Sequence, residues 1–465
     1  MYDYDVVAIG AGSGGCASCM RSVDNGKKKV ALVEYRKGGT GGTCVSRGCI
    51  PTKALLRSAE VYAEVKNAKK LGIIVDGARP DMKAIQKGKQ QVVTQLKFGL
   101  DNFLLKSRGV KRITGKAKLL DPHTIEITDG NKVSQITAEN IILATGSEAV
   151  RIPVFNIDGK KIMTSDELLN IDWLPKSIVI AGAGVVGMEI AYLLRTLDVE
   201  VTVADLAPQV LPLVRDKDTV NAVKKMMEKY GIKFHLGQGI KEMHVDEEDQ
   251  VVCTLADGTE IKAEIGLVAV GRSINVKGLG LEELGIEQGP KGVILINEKM
   301  QTNIPNIYAV GDITMGPQLS HKAQKQGLTA ADNICGIESR INMNVIPSAT
   351  FIQPEVATVG LTDAEAQEKG YQTLVAKKAF SSNEKALSMR ETNGFIKVVA
   401  DKNTHKILGA IVFGPQGSVL IEELSLALEM GLKLEDIALS IHAHPTLSEL
   451  VMETCKLALG LAFDK

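Results

Sequence analysis

The feature that most restricts the fold of this chain is a glycine-rich turn, between an apolar strand and a helix, that occurs twice. In the first copy residues 6–9 are followed by GAGSGG at 10–15, and in the second residues 178–180 are followed by GAGVVG at 182–187. A second apolar strand then ends in an acid, Glu34 or Asp205. This is the pattern of a βαβ dinucleotide site, and its duplication predicts two such sites.

Each residue type in this motif has a physical task. The first glycine allows a tight turn, the second lets backbone approach a pyrophosphate, and the third lets the helix pack on the strand. The helix N-terminus offers N–H groups to phosphate oxygens, and the acid accepts from ribose hydroxyls. A lone motif also occurs at purely structural corners, but two copies with correctly spaced acids favour binding. The predicted residues are Gly10, Gly12, Gly15 and Glu34, then Gly182, Gly184, Gly187 and Asp205.

The repeat continues after each acid and defines the predicted architecture. An Asp-Gly turn signal follows, at 129–130 and 257–258, and each copy ends in an apolar strand with a glycine, Gly146 or Gly271. The first copy holds one insertion, from about residue 44 to 101, that begins with CVSRGC and continues as helical, charge-rich sequence. From about residue 346 the chain becomes strand-rich and then helical, without another nucleotide motif.

We therefore predict an α/β protein with two Rossmann-like dinucleotide-binding domains, each a three-layer unit with a β-meander, and a C-terminal α+β domain. The predicted boundaries are 1–148 for the first nucleotide domain with its insertion, 149–272 for the second, 273–345 for a return to the first, and 346–465 for the C-terminal domain.

Composition and charge exclude several classes of function. The chain has 55 Lys and Arg against 55 Asp and Glu, without a basic block, so neither nucleic acid nor a membrane surface is an expected partner. Residues 177–194 are apolar but contain Glu189 and glycines, which predicts a strand, turn and helix rather than a membrane span. Residues 1–5 lack the basic segment of a secretory signal, and we expect a cytoplasmic protein.

In a reducing compartment, two close cysteines indicate redox chemistry or a metal site rather than a structural disulfide. Cys44 and Cys49 lie in GGTCVSRGCIPTK, residues 41–53, with four residues between them. That spacing suits one helical turn and brings the sulfurs within reach of each other. Lys53, one turn after Cys49, favours a thiolate. We predict a redox pair and no metal, because further ligands are not nearby, and we expect the remaining cysteines to be structural.

These motifs together resemble the flavoprotein pyridine nucleotide–disulfide oxidoreductases over essentially the whole chain, and within them the dihydrolipoamide dehydrogenase group. The resemblance rests on both glycine loops, the GGTC…GCIPTK segment, ATG at 144–146, AVGD at 309–312 and HAHPTLSE at 442–449. It implies an oxidoreductase that passes electrons from a protein-bound dihydrolipoyl group through a Cys44–Cys49 disulfide and FAD to NAD+.

The resemblance also implies roles for individual residues. Cys49 would lie against the flavin, Cys44 would exchange with substrate, and Lys53 would pair with Glu189. His444 would be the acid–base catalyst, oriented by Glu449, which fixes the imidazole tautomer. The implied FAD residues are Gly10, Gly12, Gly15, Glu34, Thr43, Lys53, Gly115, Thr145, Gly146, Ser147, Asp312 and Ala323; the NAD residues are Gly182, Gly184, Gly187, Asp205 and Gly271.

Cofactor choice and partners follow from the same segments. Asp205 would accept from the free 2′-hydroxyl of NAD and repel a 2′-phosphate, and residues 206–210 offer no arginine for that phosphate. The resemblance further implies a homodimer in which His444 and Glu449 act across the interface. It implies lipoylated proteins of 2-oxoacid dehydrogenase or glycine cleavage complexes as partners.

Some positions depart from the group's usual pattern and leave alternatives open. Ser46 and Arg47 replace a frequent Asn-Val, and Lys325 and Gln326 replace residues that are often acidic; we expect both stretches near the flavin or the substrate channel. The identity of the thiol substrate is therefore open. One alternative is an NADH-dependent reductase of another disulfide, and a second is a mainly structural component that docks on an acyltransferase core.

Overall fold

The computed structural model describes residues 1–462, and the last three residues of the predicted C-terminal domain lie outside that range. The strands are β1 (Tyr4–Ile9), β2 (Val30–Glu34), β3 (Lys111–Thr114), β4 (Lys116–Leu119), β5 (Thr124–Asp129), β6 (Lys132–Leu143), β7 (Ser147–Ala149), β8 (Ile162–Thr164), β9 (Ser177–Ala181), β10 (Glu200–Asp205), β11 (Lys233–Leu236), β12 (Ile240–Val245), β13 (Val251–Leu255), β14 (Glu260–Ala263), β15 (Ile265–Val268), β16 (Arg272–Ile274), β17 (Ile307–Ala309), β18 (Ser348–Thr350), β19 (Glu355–Gly360), β20 (Thr373–Ala379), β21 (Phe395–Asp401) and β22 (Ile407–Gly414).

The α-helices are α1 (Ser13–Asp24), α2 (Gly42–Arg47), α3 (Cys49–Asn67), α4 (Met82–Phe98), α5 (Ser165–Leu168), α6 (Val185–Thr196), α7 (Lys217–Lys229), α8 (Ser320–Ile334), α9 (Asp363–Glu368), α10 (Glu384–Met389), α11 (Gly417–Glu429), α12 (Leu434–Ala438) and α13 (Glu449–Ala458). Within residues 1–462, none of the helices has the length and apolar character needed to cross a bilayer.

The chain divides into two compact units. The first comprises residues 1–151, 164–174 and 271–341, and the second comprises residues 152–163, 175–270 and, within the described range, 342–462. Each unit is therefore assembled from segments that are distant in the sequence.

The first unit is built on a parallel sheet in the order β3-β2-β1-β6-β17. Helices α1 and α8 pack against each other, and the apolar run of β1 is buried, as a parallel strand covered on both faces requires. The long strand β6 also pairs through its first half with β5, which pairs with β4, in an antiparallel meander. The predicted insertion between β2 and β3 forms α2, α3 and α4.

The second unit repeats this plan. Its sheet has the order β11-β10-β9-β15-β8, and β9 pairs in parallel with both β10 and β15. Strands β12, β13 and β14 form a second antiparallel meander, with the predicted Asp257-Gly258 turn between the last two. The internal repeat, with a strand, glycine turn, helix, strand and meander in each copy, is confirmed.

The same unit contains an antiparallel sheet in the order β18-β19-β22-β21-β20, on which α11 and α13 pack. Its core is apolar, with Phe380, Ile396, Val412 and Leu424 buried. Lys397 on β21 forms a buried ion pair with Asp216 at 2.6 Å, and the other carboxylate oxygen of Asp216 caps α7. The predicted α+β character of this region is confirmed.

Candidate active site

The first glycine loop has the geometry of a phosphate cradle. Gly10 has a φ of +108°, and a Cβ there would lie 2.3 Å from the carbonyl oxygen of Ala144. A Cβ on Gly15 would lie 1.9 Å from the carbonyl oxygen of Gly10, so this glycine lets α1 pack on the turn. A Cβ on Gly12 would meet nothing within 4 Å, so its backbone faces open space. These distances explain why Gly10 and Gly15 carry no side chain, and the approach of a pyrophosphate to Gly12 stays a prediction.

Glu34, the last residue of β2, has a second role that the sequence did not suggest. Glu34 Oε2 accepts from the N–H of Ala11 at 2.9 Å, and Oε1 accepts from the N–H of Arg36 at 2.9 Å. The carboxylate thereby fixes the glycine loop to the end of β2. Each oxygen keeps a further lone pair, which leaves Glu34 able to accept from a ribose hydroxyl.

A cavity opens beside this loop. Its lining includes the predicted FAD residues Gly10, Gly12, Glu34, Thr43, Thr145, Gly146 and Ser147, together with the cationic side chains of Arg36, Lys37, Arg47 and Lys97. Positive charge around an open glycine backbone suits an anionic pyrophosphate. The residues therefore fit FAD. The roles predicted for Lys53, Gly115 and Ala323 stay predictions.

Three residues from distant segments meet at Ser147, the first residue of β7. Ser147 Oγ donates to Asp312 Oδ2 at 2.5 Å, and Arg272 Nε donates to Ser147 Oγ at 2.7 Å. Asn275 donates its amide to the carbonyl oxygen of Thr145 at 3.1 Å. The structure therefore brings the predicted residues Ser147 and Asp312 together. It adds Arg272 and Asn275, which carry no local motif of a nucleotide site.

The second glycine loop is nearly a copy of the first. A Cβ on Gly182 would lie 2.4 Å from the carbonyl oxygen of Ala269, and one on Gly187 would lie 1.9 Å from that of Gly182. Asp205 Oδ2 accepts from the N–H of Ala183 at 2.5 Å, and Oδ1 accepts from that of Ala207 at 2.7 Å. A Cβ on Gly184 would again meet open space. These residues fit a second dinucleotide.

The two cysteines are brought together differently from the prediction. Cys44 lies in α2, Cys49 begins α3, and Gly48 separates the two helices with φ −139° and ψ −111°. The sulfurs therefore meet across a break between helices rather than within one helical turn, which corrects the spacing argument. A Cβ on Gly48 would lie 3.0 Å from the carbonyl oxygen of Thr43, so a larger residue would push the helices apart.

The surroundings of Cys44 favour its thiolate. A hydrogen bond with Cys49 lowers the pKa of Cys44 to about 6, against the raising effect of burial, with help from the Ser320 hydroxyl and the Lys53 ammonium. Burial instead raises the pKa of Cys16 and Cys253 to about 11, that of Cys455 to about 12, and that of Cys19 and Cys335 as well. Cys44 is thus set apart from the cysteines outside the pair, as a reactive thiol requires.

Alkylation of the reduced protein tests this electrostatic effect. Because the pKa of Cys44 is depressed, its thiolate is present above about pH 6, whereas an ordinary thiol ionises near pH 8.5. The rate of iodoacetamide modification at Cys44, located by peptide mapping, should therefore rise with a midpoint near pH 6. Cys49→Ala should shift the midpoint furthest upward, and Lys53→Met less. A wild-type midpoint near 8.5 would contradict the geometry.

The C-terminal motif forms a histidine–carboxylate pair. His444 Nδ1 lies 3.0 Å from Glu449 Oε1, and the N–H of Thr446 donates to Glu449 Oε2 at 2.8 Å. Against the effect of burial, these hydrogen bonds hold the pKa of Glu449 below its usual range. The His444 side chain is 66% exposed, so its second nitrogen is open to a reacting group. His442 is held by Glu423 at 2.9 Å and keeps its structural interpretation.

Other predicted residues have well-defined local contacts. Glu189 is buried on α6, and its Oε1 accepts from the N–H of Phe351 at 2.9 Å; its pairing with Lys53 stays a prediction. Gln326 is fully buried inside the first unit, where its Oε1 accepts from the N–H of Gly311; its expected place near the flavin or the substrate channel stays a prediction. Arg47 forms an ion pair with Asp166 at 3.1 Å.

Comparison with known proteins identifies the family. The pyridine nucleotide-disulphide oxidoreductase family matches residues 4–327, and its dimerisation domain matches residues 346–455. The chain belongs to this family. It is therefore an FAD-dependent oxidoreductase, and the family's enzymes use FAD with NAD(H) and a redox-active disulfide, which Cys44 and Cys49 fit. The dimerisation domain supports a homodimer.

Individual relatives agree over nearly their full lengths. Dihydrolipoyl dehydrogenase from Geobacillus stearothermophilus is 37% identical over 462 residues, with 98% of this chain and 96% of that protein covered. The enzyme of the same name from Chlamydia muridarum is 39% identical over 458 residues, with 98% and 97% covered. Among solved structures, LpdA from Mycobacterium tuberculosis matches with a TM-score of 0.91 at 25% identity, covering 97% of this chain and 99% of that one. The HOCl-induced flavoprotein disulfide reductase RclA from Escherichia coli matches with 0.86 at 25% identity, covering 98% and 100%.

Proposed function

We propose that this chain is a dihydrolipoyl dehydrogenase: it oxidises protein-bound dihydrolipoyl groups to the lipoyl disulfide and reduces NAD+ to NADH. The observation that carries the proposal is the Cys44–Cys49 pair: a hydrogen bond with Cys49 depresses the pKa of Cys44, and the neighbouring Ser320 hydroxyl and Lys53 ammonium add to that effect. Relatives that are 35% to 39% identical over almost the whole chain carry the same activity in their names.

Thiol–disulfide exchange accounts for the residues in the pair. A dihydrolipoyl thiolate attacks the Cys44 sulfur of the Cys44–Cys49 disulfide, and the S–S bond breaks with Cys49 leaving as a thiolate. The second lipoyl thiolate attacks the lipoyl sulfur of the mixed disulfide, and Cys44 leaves. A leaving thiol with a low pKa departs faster, so the depressed pKa of Cys44 serves this second step. The FAD that the first glycine loop and Glu34 would hold would supply a two-electron carrier between the reduced cysteine pair and NAD+.

His444 handles the protons. Each dihydrolipoyl thiol has to lose a proton before it attacks, because the thiolate is the nucleophile. His444 accepts the first proton on Nε2 and releases it to solvent, to which its side chain is open, before it accepts the second. Glu449, which bonds Nδ1, stabilises the imidazolium each time. In this proposal Lys53 and Glu189 support the flavin site.

A substrate panel on the purified protein tests the function. We expect a yellow protein with one FAD per chain that turns over dihydrolipoamide with NAD+, and a long-wavelength absorbance band on addition of one dithiol equivalent. The control is NADH with glutathione disulfide. A colourless but folded protein would refute the flavin assignment. Faster turnover of glutathione disulfide would refute the substrate assignment alone.

A second function shares the same machinery. The chain would then be an NADH-dependent reductase of another disulfide, and the similarity to a flavoprotein disulfide reductase from Escherichia coli favours keeping it in the panel. The substrate panel would favour this second function if a small disulfide oxidised NADH rapidly while dihydrolipoamide was turned over only slowly.

Replacement of Asp205 tests the choice of NAD. Asp205→Asn should raise the KM for NADH about 10- to 100-fold, as expected for the loss of a charge-assisted hydrogen bond to ribose, and should lower discrimination against NADPH. The amide also turns an NH2 group toward a backbone N–H that the carboxylate now binds, which loosens the loop. Steady-state kinetics measure both effects, with the exposed Glu248→Gln as the control. A wild type that prefers NADPH would contradict the assignment.

The proposal includes a homodimer that combines residues of both subunits. The dimerisation domain exposes apolar side chains along one face of α11 and at the residue that follows it: Val419 is 64%, Leu426 63% and Met430 66% exposed. Leu439 and Ile441, a few residues further along the chain, are also exposed. A patch of this kind suits a subunit contact. In the proposed dimer, His444 of each subunit serves the cysteine pair of the other. The expected partners are lipoylated proteins of 2-oxoacid dehydrogenase or glycine cleavage complexes, and the expected location is the cytoplasm.

A further inference from the structure

Lys322, in the first turn of α8, is a lysine in the interior of the first unit. Its side chain is 1% exposed, and its Nζ donates to the carbonyl oxygens of Gly311 at 3.2 Å and Met315 at 2.9 Å. These two carbonyls lie on either side of Asp312 in the sequence. One ammonium group therefore holds both ends of the turn that carries Asp312.

Gln326, one helical turn further along α8, holds the same backbone from the other side. It is fully buried, its Oε1 accepts from the N–H of Gly311 at 2.8 Å, and its Nε2 donates to Thr314 Oγ1 at 3.2 Å. Gly311 has a φ of +81°, a left-handed conformation that few other residues adopt. Gln326 binds the N–H of Gly311 and Lys322 binds its carbonyl oxygen, so α8 fixes both backbone polar groups of this residue.

The pKa of Lys322 is set by its burial and by the charge of one neighbouring residue, Asp312. The ionisable groups on α8 and on the elements packed against it are Asp312 in the turn, Cys16, Cys19, Arg21 and Asp24 on α1, and His321, Lys325 and Asp332 on α8. Burial lowers the pKa of Lys322 to about 8, and Asp312 is the group whose charge opposes this effect. Arg21 is engaged with Asp332. Gln326, where the resembling group often has an acid, adds no negative charge.

We propose that Lys322 is a positioning residue of the flavin site, which with Gln326 clamps the turn at 311–315 and keeps Asp312 in a fixed position as an acceptor for hydroxyls of FAD. The proposal rests on the flavoprotein assignment and on the role proposed for Asp312. Hydrogen bonds from an ammonium are about twice as strong as those from a neutral amine. The charge that strengthens these hydrogen bonds is present below the pKa of Lys322, about 8, and is lost as pH rises through it.

Reconstitution of the full-length apoprotein with FAD at a series of pH values tests this clamp, with flavin fluorescence reporting the dissociation constant. Wild-type affinity should fall several-fold as pH rises through about 8. Lys322→Met should bind FAD about ten-fold more weakly at neutral pH and show no such fall, because charge-assisted hydrogen bonds are absent. Gln326→Glu should move the fall to higher pH, because a carboxylate beside the ammonium favours its charged form.

The controls separate this role from a structural one. Lys299→Met removes an exposed lysine from the same unit and should match the wild type. Lys322→Met also removes a donor from the buried carbonyls of Gly311 and Met315, which lowers stability. FAD affinity is therefore measured well below the melting temperature of each apoprotein, and the pH dependence of that affinity is the readout that a purely structural role would not change. Wild-type affinity in Lys322→Met, or an unmoved midpoint in Gln326→Glu, would overturn it. A wild type that binds no FAD at any pH would instead overturn the flavoprotein assignment.

Discussion

Cys44→Ser should reduce dihydrolipoamide turnover by roughly a thousand-fold or more, because the hydroxyl neither forms a disulfide nor leaves as a thiolate. The variant should still bind FAD, since the glycine loop, Glu34 and the lining of the cavity are unchanged. NADH should still reduce the flavin, because that electron path does not pass through the sulfurs. Turnover and the visible spectrum under NADH measure the two halves of the reaction separately.

A matched control is available in the same unit. Cys335 is half-buried and lies outside the redox pair, and Cys335→Ser should keep wild-type turnover. Retained dihydrolipoamide turnover in Cys44→Ser would show that the redox pair is assigned wrongly. Loss of FAD from that variant would show instead that the substitution disturbs α2.

Co-expression of two inactive variants should restore activity if each site combines two subunits. Cys44→Ser and His444→Ala should each be nearly inactive as homodimers. In a mixed dimer, one site then holds both lesions and the other holds neither. Random pairing of equal amounts restores about one site in four, from the pairings that a two-fold interface allows. Dihydrolipoamide turnover before and after co-expression measures the gain.

The opposite arrangement gives an opposite result. If His444 serves the cysteines of its own chain, every site in every dimer keeps one lesion and mixing restores nothing. Co-expression of Cys44→Ser with Glu449→Ala is a parallel test, because Glu449 binds His444 in the same chain. Restoration with both partners would tie the histidine and its carboxylate to one functional unit.

Much of the fold was predictable because its signals are local. A parallel strand that is buried on both faces requires a continuous apolar run, and the turn after it requires glycines where a Cβ would strike backbone, as at Gly10 and Gly15. These requirements act within about thirty residues and recur unchanged at Gly182 and Gly187. The sequence therefore identified both nucleotide units and the insertion between β2 and β3.

Parts of the site were local in the same sense. Cys44 and Cys49 are close in sequence, and His444 reaches Glu449 five residues on, so motif and contact coincide. The spacing argument still mistook how the cysteines meet, because Gly48 breaks the helix between them. Spacing restricts the distance between two residues but does not specify the backbone path that joins them.

Only the tertiary structure decided which distant groups adjust the site. Ser320 contributes to the low pKa of Cys44, although the two residues lie far apart in the chain. In the same way Arg272 donates to Ser147, which itself donates to the distant Asp312. Gln326 is buried and accepts from the N–H of Gly311, a contact that the sequence did not predict. The sequence by itself determined the nucleotide loops, the redox pair and the family, because each depends on consecutive residues. The hydrogen bonds and burial that set charge and pKa depend on packing between segments, which no local pattern encodes.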